Sequence, residues 1–131
     1  MKLQKIERDF SICKLDNVEQ VDFSQDFIFL QKTSDEVSIV CESINIPSNA
    51  VSVEAGWKAV RVSGVLDFGL IGVIAGISKI LADAKIGIFV ISTFNTDYIF
   101  MKSEEFPKGV QLLEQNGYTI KQELHKEKEA L

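Results

Sequence analysis

The chain has 131 residues, enough for one compact domain or two very small units sharing a core. A hydrophobic fraction of 46% against 25% charged residues belongs to a folded globular protein rather than a disordered one. The formal net charge of −5 repels phosphate, which argues against nucleic acid or an anionic membrane surface as a partner.

Lys2, Lys5, Glu7, Arg8 and Asp9 interrupt the opening residues, so no signal-peptide hydrophobic region is expected there. The longest apolar runs, 70–77 and 86–91, fall well short of the ~20 residues that span a bilayer. The expectation is a soluble, cytoplasmic protein. Phe10–Leu15 reads as a first strand. Between Leu15 and Phe27 the apolar residues Val18, Val21 and Phe23 support one helical turn at most. Phe27–Leu30 and Val37–Cys41 read as two strands joined by the turn residues Thr33, Ser34 and Asp35. Residues 44–50, with Pro47, read as a loop or short helix. Cys13 and Cys41 lie in apolar runs, outside any C-x-x-C pair, and read as reduced thiols packed in the core.

The second half is more regular. Val60 and Val62 alternate with Ala59, Arg61 and Ser63, which predicts a strand over Trp57–Val65. From Leu70 the residues Leu70, Val73, Ile74, Ile77, Ile80, Leu81 and Ala84 recur at helical spacing, with Asp67 placed to cap and Gly87 near the exit. Ile86–Ser92 predicts a strand buried on both faces, and Asp97–Ser103 the returning strand of a hairpin. Pro107 opens a short helix, Gly117 stops it, and Tyr118–Leu124 supplies a last strand. The residues from His125 to Leu131 form a charged tail.

The order over residues 57–124 is therefore βαββαβ, a ferredoxin-like α+β unit with an antiparallel sheet and both helices on one face. The first half echoes it in part. Residue 27 falls on 88 and residue 36 on 97, which sets Glu36 opposite Asp97. The expected organisation is an internal duplication: a truncated unit over 1–56, a complete unit over 57–124, and a tail over 125–131.

Three segments carry a family resemblance: Glu54–Phe68, Gly72–Gly76, and Ile91–Ile99 with its Ser92-Thr93-Phe94-Asn95-Thr96-Asp97 run. Together they resemble the small bacterial tandem ACT proteins related to aspartokinase regulatory domains. The same pattern occurs in the cytosolic arginine sensors of the TOR pathway. The resemblance is dense over Val53–Gly117 and weaker over Met1–Ser52. It implies paired ACT units holding a free amino acid where they meet, with the loop after the first strand and the start of the first helix as the site.

That implied site has a physical rationale. The unpaired N–H groups and positive dipole end at the helix start suit a carboxylate. Gly69 and Gly72 allow close approach to the backbone. Asp67 either caps the helix or accepts from an ammonium group, and the glycines serve either a ligand or tight helix packing. The spacing Gly69-x-x-Gly72-x-x-x-Gly76 matches neither a dinucleotide fingerprint nor a P-loop. The candidate ligand set is Asp67, Phe68, Gly69, Leu70, Ile71 and Gly72, joined by Ser92, Thr93, Phe94 and Asp97 and by Glu36 and Ser38. Asp97 and Glu36 could select a cationic side chain, and Asp97 could equally terminate its turn. Trp57, Phe94, Tyr98 and Phe100 read as core aromatics.

Catalytic signatures are missing: the sole histidine is His125, and no G-x-S-x-G, H-E-x-x-H or C-x-x-C occurs. No metal or cofactor is expected. The sequence points to a non-catalytic amino-acid sensor, with a homodimer through its ACT units and a downstream protein as partners. The alternative is a structural interaction module whose pocket is vestigial.

Overall fold

The computed structural model describes residues 1–63 and 71–123. Among them are strands β1 (Lys2–Leu15), β2 (Phe29–Lys32), β3 (Val37–Glu42), β4 (Ala50–Val62), β5 (Ile88–Ser92), β6 (Asp97–Lys102) and β7 (Thr119–Gln122), with helices α1 (Val73–Asp83) and α2 (Phe106–Gln115). A single 3-10 turn spans Ser43–Asn45. Pro107 lies in the first turn of α2, where its missing N–H costs nothing. No helix among the described residues is long and apolar enough to cross a membrane.

The chain divides into two compact units. One is Arg8–Trp57; the other joins Met1–Glu7 to the described residues from Lys58 onward. The sequence expectation placed all of 1–56 together, whereas the structure gives the first seven residues to the unit that contains both helices. The long strands β1 and β4 each contribute residues to both units.

In the two-helix unit the strands lie in the order β7-β1-β4-β6-β5. The last strand, β7, runs parallel to β1, with Lys2 opposite Thr119 and Lys5 opposite Gln122. Residues 57–124 therefore do not complete a ferredoxin-like sheet by themselves, because the start of β1 lies between β7 and β4. Its alternating, charge-rich sequence KLQKIERDF hid this strand: only Leu3 and Ile6 of Lys2–Glu7 are fully buried. The helices cover one sheet face, where Leu3, Val60, Val62, Ile99 and Met101 pack with Ile77, Leu81, Phe106 and Leu113. Burying each such side chain contributes about 1.5–3 kcal/mol.

Close packing of α2 depends on Gly109, where a Cβ would meet the Met101 sulfur. The strand buried on both faces is β6, in which Tyr98, Ile99, Phe100 and Met101 are all buried. The sequence expectation assigned that character to β5, an edge strand whose apolar residues are half-buried. α1 ends at Asp83 with Ala84 as its C-cap, within the exit read over residues 84–87, and Lys85 takes the left-handed conformation (φ 61°). The N–H groups of Lys85 and Ile86 donate to the carbonyls of Ala82 and Leu81, closing the helix end.

In the other unit the sheet order is β2-β3-β1. Its core holds Cys13, Leu15, Ile39 and Cys41, with Val21, Ile28 and Leu30 packed alongside. The β2–β3 and β5–β6 hairpins share one register: Lys32 pairs with Val37, and Ser92 with Asp97. Their turns match as well, with the Thr33 N–H donating to the Glu36 carbonyl and the Thr93 N–H to the Thr96 carbonyl. The offset is therefore Thr33 on Thr93, one residue away from the sequence alignment. Glu36 corresponds to Thr96, and the position of Asp97 is taken by Val37.

Candidate functional site

Asp67, Phe68, Gly69 and Leu70 lie outside the described residues. The next two candidates, Ile71 and Gly72, stand at the start of α1. Gly72 is the N-cap, with φ +80° and no side-chain hydrogen bond to the first turn. The helix thus begins at Val73, later than the apolar period from Leu70 indicates. A left-handed N-cap favours glycine, since a Cβ there strains the backbone.

The start of α1 borders an open cavity of about 400 Å³, lined by Met1, Ile71, Gly72, Val73, Asn116, Gly117 and Tyr118. Three backbone features bring these segments together. The Ser63 N–H donates to the Lys2 carbonyl, the Thr119 N–H donates to the Met1 carbonyl, and Gly117 (φ 94°) turns the chain from α2 into β7. The end of β4, the starts of β1 and β7, and the two helix ends therefore gather at one edge of this unit. Sequence reasoning identified Gly117 as a helix stop but gave no sign that it would face the start of α1. That placement depends on β7 pairing with β1.

The hairpin end of Ser92–Asp97 lies at the same edge. The Thr96 hydroxyl, in a buried residue, donates to the Val62 carbonyl at 2.8 Å and fastens the turn to the last residue of β4. The Ser92 hydroxyl donates to Asp97 Oδ1 at 2.5 Å across the pair. Thr93 Oγ1 accepts from the Thr96 N–H. Ser92, Thr93 and Asp97 thus form a small polar cluster. Asp97 has the same strand parity as Ile99 and Met101, on the helix-covered side. Phe94 is 82% exposed and Ile71 92% exposed, so the expectation that Phe94 is core is corrected: it sits at the hairpin tip.

Glu36 and Ser38 belong to the other unit. Glu36 is exposed at its turn, and the Ser38 hydroxyl donates to Gln31 Oε1. Neither shares a hydrogen bond with the cluster around Asp97. Arg61 is half-buried and donates to the Tyr98 hydroxyl and to Gln4 Oε1.

Neither cysteine is set up as a nucleophile. Burial pushes the Cys41 thiol up to about 11, with the nearby Cys13 and Glu42 adding to it, and burial raises Cys13 as well. Among the described residues no group of three or more His, Cys, Asp or Glu side chains is placed to hold a metal ion.

Residues 52–115 match the ACT domain family. Protein Atu0741 from Agobacterium tumefaciens is 30% identical, with a TM-score of 0.82 over 95% of this chain and 94% of that one. The chain belongs to one family with the Agobacterium protein, and within it residues 52–115 are similar to an ACT domain. The same fold recurs at lower identity. In the aspartate kinase of Clostridium acetobutylicum, described as an allosteric enzyme, the match is 15% identical with a TM-score of 0.58, over 84% of this chain and 32% of the kinase. In a chain described as a C-terminal regulatory domain of aspartate kinase from Porphyromonas gingivalis W83, it is 12% identical with a TM-score of 0.50, over 86% and 92% of the two chains. Curated proteins give no match.

Proposed function

We propose that this ACT-domain protein is a non-catalytic regulatory protein that binds a free amino acid at the edge formed by the start of α1. The observation that carries the reading is the cavity at the start of α1, whose Ile71–Val73 wall lies in the region matching the ACT family and whose other wall, Met1 and Asn116–Tyr118, lies outside it. First-turn N–H groups without a side-chain cap suit the ligand's carboxylate. Asp97, held by Ser92, is the acceptor for an ammonium group or a cationic side chain. The fold shared with an allosteric aspartate kinase supports a regulatory role in which ligand shifts the packing of two ACT units. The shift equals the ligand's differential affinity for the two packings. In this reading the protein is cytoplasmic, acts as a homodimer through its ACT units and signals to a downstream protein.

A second reading, a structural interaction module, draws support from the nearly full exposure of Ile71 and Phe94 at the same edge. Thermal melting against the twenty amino acids at millimolar concentration separates the two. A ligand specific to the folded state at a hundred times its dissociation constant stabilises by about 2.7 kcal/mol. The sensor reading expects one amino acid or one class to raise Tm, and Asp97→Ala to abolish the rise while leaving the unliganded Tm within a few degrees. A flat panel sinks that reading and favours the interaction module.

A further inference from the structure

The sheet face opposite the helices carries a feature that the ACT site does not use. Leu3, Val60, Val62, Ile99, Met101 and Ile120 pack on the helix side, so their strand neighbours Gln4, Arg61, Tyr98 and Lys121 point to the other side. Gln4 pairs with Lys121 across β1 and β7. Arg61 reaches Gln4 on one side and the Tyr98 hydroxyl on the other, with its guanidinium carbon 5.6 Å from the Tyr98 ring centre. Lys121, Gln4, Arg61 and Tyr98 therefore form one row across four strands. Lys2, opposite Thr119, stands on the same face in the row above.

Lys2, Arg61 and Lys121 share this face, with Lys102 of β6 and Glu123 beyond β7 on the same parity, in a chain whose net charge is −5. Among the described residues none of Lys2, Arg61 and Lys121 makes an ion pair. Arg61 is the decisive member. It is half-buried, yet both of its acceptors are neutral, and a guanidinium has five donors. Arg61 therefore keeps donors that Tyr98 and Gln4 do not use, and a carboxylate is the acceptor whose two oxygens match its fork. The tyrosine and glutamine hold the planar fork in place, which lowers the entropic cost of bidentate recognition. Lys121 stands two strands from Arg61, about 10 Å at the backbone, with its exposed side chain free to swing inward.

We infer that this row is a second binding site, for a small dicarboxylate whose one carboxylate takes the Arg61 fork while the other meets Lys121. The inference is independent of the amino-acid site at α1, since it uses the opposite face of the sheet and none of the same residues.

The test is thermal melting of the full chain at constant ionic strength against glutarate, butyrate and inorganic phosphate, on wild type, Arg61→Gln and Lys121→Gln. The expected result is a saturable rise in Tm with glutarate that neither butyrate nor phosphate matches. Arg61→Gln should abolish the rise, and Lys121→Gln should weaken half-saturation at least several-fold. Lys121 is exposed and its substitution leaves the fold intact, so that arm reads the site even if the Arg61 variant fails to fold. A rise that survives either folded variant unchanged overturns the proposal. An equal response to butyrate or phosphate, or no response to glutarate, does so too.

Discussion

The β2–β3 and β5–β6 hairpins are the same structure built twice. In each, a threonine opens a four-residue turn by donating its N–H to the carbonyl three residues on. Ile39 and Ile99 occupy the same place and are both fully buried, as are Cys41 and Met101. The two hairpins diverge at the end of the turn. The second has a buried Thr96 whose hydroxyl is tied to β4, followed by Asp97 bonded to Ser92. The first has an exposed Glu36 followed by Val37 opposite Lys32. The shared part is what a hairpin needs to form, and the differing part is what distinguishes a candidate site from a plain turn.

The largest effects should fall on the shared part. Ile39→Ala and Ile99→Ala should each cost about 2–5 kcal/mol in urea unfolding, since both remove a fully buried side chain. A cost below 1 kcal/mol at either would break the equivalence. The divergent part should respond unequally. Thr96→Val leaves the Val62 carbonyl without its donor and should cost about 1–3 kcal/mol. Glu36→Ala at the corresponding exposed position should stay within about 0.5 kcal/mol. Equal losses from both would show that the hydroxyl contributes nothing particular to the second hairpin.

A smaller difference concerns pH. The Cys41 thiol is raised from 9.0 to about 11 in the folded state, so its contribution to stability is fully present below pH 9 and is lost as pH rises toward 11. Met101 at the matching position does not titrate. Urea midpoints for wild type should therefore fall more steeply from pH 8.5 to 10.5 than those of Cys41→Ala. Parallel slopes would refute the assignment. A change of opposite sign is expected at the end of α1: Lys85→Gly relieves a left-handed residue and should stabilise by up to about 1 kcal/mol, read as a small rise in Tm.

Much of the secondary structure was legible because hydrophobic period and turn chemistry are local signals. The β5–β6 hairpin, α1, α2 and the helix stop at Gly117 all follow from spacing along a few residues. The hairpin echo was legible too, but one residue out of register. The ends of the apolar runs are a poorer marker than Thr33 and Thr93, whose side chains accept from backbone N–H groups in the turn. A slip of one residue exchanges the faces of a strand. That slip alone made Glu36 look like a counterpart of Asp97.

The candidate site was half legible. Ser92, Thr93 and Asp97 could be grouped because they are neighbours in sequence. Met1, Asn116 and Tyr118 could not, because they come from chain segments more than a hundred residues apart. Sequence alone determined the α+β class, both helices, the second hairpin and the ACT resemblance, since each rests on short-range pattern. Only the tertiary structure decided that Lys2–Glu7 lies between β7 and β4, and that Phe94 is exposed. Only it showed that Arg61 rests on neutral partners. Each of these depends on which strands pair, and strand pairing is set by burial summed over the whole sheet rather than by any local run of residues.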